Sequence, residues 1–430
     1  MTAATAAGRA QTGDSTHLPA LDGVRGIAIL LVMQFHFWAM PFRIFRRPPT
    51  LALDTRINQA FEFGWTGVDL FFVLSGFLIT GILLRAKGGS SYFRAFYGRR
   101  VLRIFPLYWG YLAFVILITP LLGGALEEQA HAGNVRDHWY WYFGYAVNIW
   151  SSVKQAHPDL AAVNLHFWSL AFEEQFYLVW PVIVFLLSRQ RLARVCLGLL
   201  ITTALFRVYL VSPLAEGWAK PNGSQVLLPG HLDPIVLGAL LAVAAADGRA
   251  AIARLASWAP AAAVAAAGVL LVLVVVRGGL SPVDRAVAVF GFTPIAVLGA
   301  ALVLMAIAAP PGSATERLLT SAPLRFFGRY SYAMYVFHPL VAFTLVATHG
   351  GDFLRTAGGS QAFGSVLFAT AATAITVAAA WLSWYLWERH FLRLKRFFPY
   401  RPETSRGRDH LAVAHAGFAP AGTNSHGSRT

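Results

Sequence analysis

The sequence is dominated by long apolar runs, several of them longer than the roughly 20 residues that an α-helix needs to cross the hydrocarbon core of a membrane. Charged residues make up only 13% of the chain and hydrophobic residues 57%, whereas a soluble domain carries about 25% charged residues. A soluble globular protein is therefore not expected. The pattern predicts an all-α fold, a polytopic membrane helix bundle with about ten transmembrane helices.

The predicted organisation is one membrane domain at residues 18–398, flanked by segments 1–17 and 399–430 that we expect to be disordered and cytoplasmic. An aromatic run at 139–150 is too short to cross the membrane and is expected to be interfacial or re-entrant. The candidate helices are 18–40, 65–84, 101–122, 165–187, 195–211, 230–246, 255–276, 286–308, 330–348 and 363–387.

The charge balance is basic, with 35 Lys and Arg against 20 Asp and Glu. No basic domain stands apart from the apolar segments, so the excess is expected to set membrane topology, with both termini cytoplasmic, and not to bind nucleic acid. The single cysteine, Cys196, excludes an intramolecular disulfide framework or a CxxC pair. No spacing of His and acidic residues indicates a metal site.

Ionisable residues inside membrane helices are costly and mark functional sites by default. They form two layers in the predicted bundle. The inner layer is a cationic cluster, and the layer in the middle and outer half can face one cavity if the bundle is closed. The principal members of the inner layer are Arg25, Arg99, Arg100 and Arg103, and those of the outer layer are His36, Asp69, Glu173, Arg207, Asp233 and His338.

Arg25 and His36 are eleven residues apart on the first helix. At about 100° per residue they return to nearly the same face, separated by roughly 16 Å of helix rise. Either this stripe is functional, or Arg25 extends to the lipid headgroups while His36 sits in an aromatic belt.

The acidic residues have alternative roles as well. Asp69 either orients a nearby histidine, raising its basicity for general base catalysis, or caps the start of its helix. Ser169 and Glu173 share one helix face, and Glu173 is the acid expected to act in catalysis. Arg207 and Asp233 either line the cavity or form a structural ion pair.

Seven motifs in order give the chain a family resemblance from about Leu18 to Phe398. It resembles the acyltransferase 3 family, integral membrane O-acyltransferases of bacterial surface glycans and some natural products. The motifs are LDGVRGIAILLVMQFHF, GVDLFFVLSGFLITGIL, FYGRRVLRIFPLYW, HFWSLAFEEQFYLVWP, LDPIVLGALLA, GRYSYAMYVFHPL and LWERHFLRLKRF.

The resemblance implies transfer of an acyl group, usually acetyl, from cytoplasmic acyl-CoA to a sugar hydroxyl in the bacterial inner membrane. Acyl-CoA is then a co-substrate, and no bound cofactor is expected. The family's essential Arg and His fall on Arg25 and His36, and its Arg-rich motif on the remaining inner-layer arginines. Its acid falls on Glu173, and its SYxxYxxH motif places Tyr332 and His338. His338 either lines the cavity or donates a hydrogen bond to a backbone carbonyl that the following proline leaves without a hydrogen-bond donor.

The resemblance suggests a mechanism. The inner arginines hold the CoA phosphates, and His36 removes the proton from the acceptor hydroxyl. Asp69 or Glu173 then stabilises the imidazolium. One departure concerns His231, which stands where relatives often have Arg.

Other functions stay open at this point. The alternatives are a transporter or flippase, or an acyl translocator that serves a partner enzyme. Some relatives carry an additional SGNH esterase-like domain after the membrane part, but residues 399–430 of this sequence contain no GDS block. We therefore expect the membrane domain, or a separate partner, to complete transfer to a surface glycan, a lipid-linked sugar or a glycosylated metabolite.

Overall fold

The computed structural model describes residues 18–39, 61–153, 164, 166–215, 223–348 and 361–400. The predicted disorder of 1–17 and of 401–430 lies outside the described residues. Ten helices build the bundle: α1 (Pro19–Gln34), α2 (Gly67–Ala86), α3 (Tyr92–Leu117), α4 (Trp168–Leu186), α5 (Arg189–Val211), α6 (Asp233–Ala245), α7 (Arg249–Arg277), α8 (Phe292–Ala308), α9 (Ala322–Ala347) and α10 (Gln361–Ser383).

Nine helices of the described residues are long and apolar enough to cross a membrane. The tenth, α6, has 13 residues and rises only about 20 Å. It can be short because it packs inside the bundle, against α2, α5 and α8, where protein neighbours replace lipid. The all-α membrane bundle is confirmed, with one of the ten predicted helices too short to span by itself.

Helices α2 and α6 pack closely in the bundle interior, and glycines permit it. A Cβ placed on Gly76 would overlap the carbonyl oxygen of Ile235, and one on Gly238 would overlap that of Val73. Small residues let helix backbones meet in this way where lipid gives no hydrophobic driving force. This contact brings the first turn of α2 beside the start of α6.

Short helices connect α3 to α4. They span Thr119–Leu122, Gly124–Ala130, Ala132–Asp137, Trp139–Phe143 and Val147–Val153. Tyr142 and Trp150 are buried in the main hydrophobic core, while Trp139 and Tyr140 are exposed. The aromatic run therefore does not form a membrane crossing, as the sequence indicated.

Three helices of the described residues adjoin a π-helical turn. Helix α1 continues into Phe35–Ala39, α8 is preceded by Val287–Gly291, and α10 continues into Trp384–Glu388. Such turns are rare and often occur at functional sites. The first of them carries His36.

Candidate active site

A cavity of about 240 Å³ lies between α1, α2, α3, α4 and α9; we call it the central cavity. It follows α2 from Val68 to Ile82, a helix rise of about 21 Å. Its polar lining residues are Arg25, Ser75, Arg100, Arg103, Ser169, Glu173, Tyr177, Ser331, Tyr332 and Tyr335.

Three of the four arginines predicted to bind the donor line this cavity. Arg25 forms an ion pair with Asp22 at 2.8 Å, one turn earlier on α1. Arg100 lies over the Tyr177 ring, 5.5 Å from its centroid. Arg99 differs, because its Nε donates to the Phe398 carbonyl oxygen at 2.8 Å. Arg99 therefore holds the described chain near its end, at Phe398, and does not line the central cavity.

Glu173 lines the middle of the central cavity. Its carboxylate lies near the Ser75 and Tyr177 hydroxyls and near Arg100. The two hydroxyls hydrogen-bond to each other across α2 and α4. The sequence indicated Glu173 but assigned neither Ser75 nor Tyr177 to the site. Tyr177 follows Glu173 by four residues, so the face shared by i and i+4 could have identified it.

At the end of the cavity away from Arg100, hydroxyl groups of α4 and α9 are hydrogen-bonded to each other and to a backbone carbonyl. The Tyr335 hydroxyl donates to the His166 carbonyl oxygen at 2.5 Å and accepts from Ser169, also at 2.5 Å. Tyr332 donates to the carbonyl oxygen of Ile104 at 2.6 Å. Ser169 and Tyr332 thus line the cavity as predicted candidates, with their hydroxyls already oriented.

Three histidines meet beyond Tyr335. The His338 ring centroid lies 5.7 Å from that of Tyr335, 5.5 Å from that of His166 and 4.7 Å from that of His36. His338 is fully buried, and its Nδ1 donates to the Tyr335 carbonyl oxygen at 2.8 Å. It therefore satisfies a helix carbonyl and does not line the central cavity.

The hydrogen bonding of His36 defines which nitrogen can act as a base. Its Nδ1 lies 2.8 Å from the Val32 carbonyl oxygen, which can only accept. In the neutral ring Nδ1 carries the hydrogen, and Nε2 holds the lone pair. Arg25 and His36 both face α9, the first beside Ser331 and the second beside His338.

Asp69 is paired with a histidine, but not with the one expected. Its Oδ1 lies 2.6 Å from His231 Nε2, and both side chains are buried. The Nδ1 of His231 donates to the Gln225 carbonyl oxygen at 2.8 Å, so a proton is held between Nε2 and the carboxylate. The prediction that Asp69 orients His36 is therefore wrong, because the close packing of α2 on α6 gives Asp69 another partner.

Arg207 and Asp233 form the predicted structural ion pair. Arg207 Nη1 lies 2.6 Å from Asp233 Oδ2, with side chains 0% and 1% exposed. Thr293 donates to the same carboxylate oxygen at 2.6 Å. The alternative that they line the cavity is not observed, since neither contributes to the central cavity.

Among the described residues, no group of three or more His, Cys, Asp or Glu side chains could hold a metal ion. The site is an internal cavity in a membrane bundle, with guanidinium groups at one end and imidazoles beyond the other. These features define a multi-pass membrane protein with an internal cavity lined by charged and hydroxyl side chains. A family model described as an acyltransferase domain matches residues 18–385. The chain therefore belongs to the acyltransferase 3 family, membrane enzymes that transfer acyl groups.

Relatives of the chain have names that state an activity. The peptidoglycan O-acetyltransferase OatA of Listeria monocytogenes is 26% identical over 357 residues, which cover 76% of this chain and 50% of that protein. The O-acetyltransferase OatA of Staphylococcus aureus is 28% identical over 362 residues, which cover 76% of this chain and 51% of that protein. The chain thus spans about half the length of these relatives. No solved structure matches the chain.

Proposed function

We propose that this chain is a membrane O-acyltransferase that moves an acetyl group from acetyl-CoA to a hydroxyl group of a glycan, with His36 as the general base. The observation that carries the proposal is the hydrogen bond from His36 Nδ1 to the Val32 carbonyl oxygen. It leaves Nε2 as the basic nitrogen of a ring that packs on His338, beyond the Tyr335 end of a cavity that has three arginines at its other end.

The reaction follows from general acid–base chemistry. His36 Nε2 takes the proton of the acceptor hydroxyl while that oxygen attacks the thioester carbonyl carbon. When the tetrahedral intermediate collapses, the carbon–sulfur bond breaks, and the imidazolium returns the proton to the thiolate. The products are an acetyl ester and CoA, and no covalent enzyme intermediate is required.

Of the two acids predicted to stabilise the imidazolium, the geometry favours Glu173. It lines the central cavity, whereas Asp69 is held by His231. In the low-dielectric interior its negative charge would favour the positive charge that forms on His36 during transfer. Asp69 is then a structural residue.

The acceptor and the membrane are further parts of the proposal. The two relatives are named for O-acetylation, one of them of peptidoglycan, which supports a cell-wall or surface glycan as the acceptor class. The charge bias of the sequence supports an orientation with both termini cytoplasmic and the Arg25 end of α1 facing the cytoplasm. The bacterial relatives support the bacterial cytoplasmic (inner) membrane as the location.

The test is acetyl transfer by protein purified in lipid nanodiscs, with radiolabelled acetyl-CoA and soluble peptidoglycan fragments. His36→Gln should lower turnover by about 10²-fold or more, since a positioned general base contributes that much. A matched control is His138→Gln, because His138 makes the same Nδ1 contact to a carbonyl four residues earlier but packs on Trp150, whereas His36 packs on His338. The assignment of His36 fails if folded His36→Gln protein turns over like wild type.

A further inference from the structure

A second, larger cavity of about 900 Å³ lies at the Arg25 end of the bundle, between α1, α2, α5 and α6. We call it the basic chamber. Its charged lining residues are Asp22, Arg25, Arg85, Lys87 and Arg189. Sequence analysis did not assign Arg85, Lys87 or Arg189 to any role, because they follow or precede membrane helices, where basic residues are common.

The basic chamber adjoins the central cavity. Arg25, Leu78 and Ile82 line both. Arg25 therefore lies between the two spaces, and its guanidinium is held there by Asp22 at 2.8 Å. The central cavity has about one quarter of the volume of the basic chamber.

The cations of the chamber keep their positive charge available. Lys87 Nζ donates to the carbonyl oxygens of Val184 and Leu187 at 2.8 and 2.5 Å. These neutral acceptors position the ammonium group without cancelling its charge, and a third N–H is left for a ligand. Arg85 is exposed at the end of α2. Arg189 pairs with Asp247 at 2.8 Å, but both side chains are more than half exposed, so water screens this pair.

We propose that the basic chamber binds the phosphate groups of the nucleotide end of the acyl donor, through Arg85, Lys87 and Arg189. Arginine forks and lysine ammonium groups are the side chains that recognise phosphate oxygens. The slender thioester arm would then pass Arg25 and enter the central cavity. This inference rests on the proposed function, and it adds a phosphate subsite to the arginines predicted from the sequence.

The test measures binding of adenosine 3′,5′-bisphosphate, a probe that has the phosphates but no thioester, to protein in phosphatidylcholine nanodiscs. These lipids carry no net charge, so anionic headgroups do not compete. Arg85→Gln and Arg189→Gln should each raise the Kd about tenfold, and with acetyl-CoA they should raise KM much more than they change kcat. Higher salt should weaken wild-type binding.

Two control variants separate phosphate binding from structural effects. Arg191→Gln removes an exposed arginine in the same turn of α5 that does not line the chamber, so the Kd should stay at the wild-type value. Asp247→Asn removes the partner of Arg189 but keeps the cation, so binding should be unchanged or tighter. Weaker binding in Asp247→Asn, equal to that of Arg189→Gln, would overturn the role of Arg189.

The outcomes distinguish this inference from the proposed function. If wild-type protein transfers acetyl groups but does not bind the probe, or if Arg85→Gln and Arg189→Gln bind it as wild type does, the phosphate subsite is wrong and the proposed function stands. If the probe binds and these variants weaken it, but no acetyl transfer occurs with any acceptor, the subsite stands and the proposed function fails.

Discussion

Replacing Asp233 by asparagine isolates the effect of charge at the centre of the bundle. Asp233 Oδ2 accepts hydrogen bonds from Arg207 and from Thr293, both at 2.6 Å. Asp233→Asn keeps the size of the side chain and removes its negative charge. The Arg207 guanidinium, which is 0% exposed, would then be buried among neutral groups, with the Gly230 carbonyl oxygen at 3.4 Å as its remaining backbone acceptor.

The expected loss can be worked out from these contacts. Breaking a buried ion pair by removing one partner costs about 3–5 kcal/mol, because the other charge is left uncompensated. Neutral hydrogen bonds inside membrane bundles average only about 0.6 kcal/mol. Thr293→Val removes a hydroxyl that bonds to both Arg207 and Asp233, so it should cost about 1–2 kcal/mol. The charge effect should therefore exceed the hydrogen-bond effect by about 1 kcal/mol or more.

The assay is thermal unfolding in one detergent, followed by tryptophan fluorescence. Wild type should melt highest, Thr293→Val lower and Asp233→Asn lowest. The double variant Arg207→Gln with Asp233→Asn removes both charges and should recover at least half of the loss. The reasoning is refuted if Asp233→Asn melts no lower than Thr293→Val, or if the double variant is no more stable than Asp233→Asn alone.

Two further predictions follow from neighbouring residues that differ in their contacts. Arg100→Gln should raise the KM for acetyl-CoA severalfold, whereas Arg99→Gln should leave it near wild type, because only the first of these side chains lines the central cavity; equal effects in steady-state kinetics would contradict the site. Gly238→Ala should lower the melting temperature and the folded yield, because its Cβ would overlap the Val73 carbonyl oxygen. Gly268→Ala is the control: a Cβ there meets nothing within 4 Å, so equal losses in both variants would argue against close packing of α2 on α6.

Much of the architecture could be predicted from local sequence, because lipid imposes a strong constraint on each segment. A run of apolar residues must become a helix to satisfy its own backbone groups. Helical periodicity then fixes which side chains share a face, as for Ser169, Glu173 and Tyr177, which all line the central cavity. The same geometry does not separate the arginines of α3, because Arg99 is about 40° from Arg103 and Arg100 is about 60° from it. What distinguishes Arg99 is its contact with the carbonyl oxygen of Phe398, far away in the sequence.

Partners across helices could not be predicted in the same way. Asp69 and His231 are 162 residues apart, and their contact depends on how α2 packs on α6. Glycines at 76 and 238 allow that packing, but a glycine alone does not say which helix approaches it. The sequence analysis noted His231 only as a departure from the family pattern, and this departure does not name the acid that His231 meets.

The buried charges of this bundle fall into two kinds, and one sequence rule selected both. Asp69 and Asp233 are in direct contact with cationic partners and line neither the central cavity nor the basic chamber, so the cost of their burial is offset within the fold. Glu173 and Arg100 instead line the central cavity. Arg25 lines it as well, although it also pairs directly with Asp22. An ionisable residue in a membrane helix is therefore a candidate for function when its side chain lines a cavity, and a structural residue when it is buried against its partner away from one.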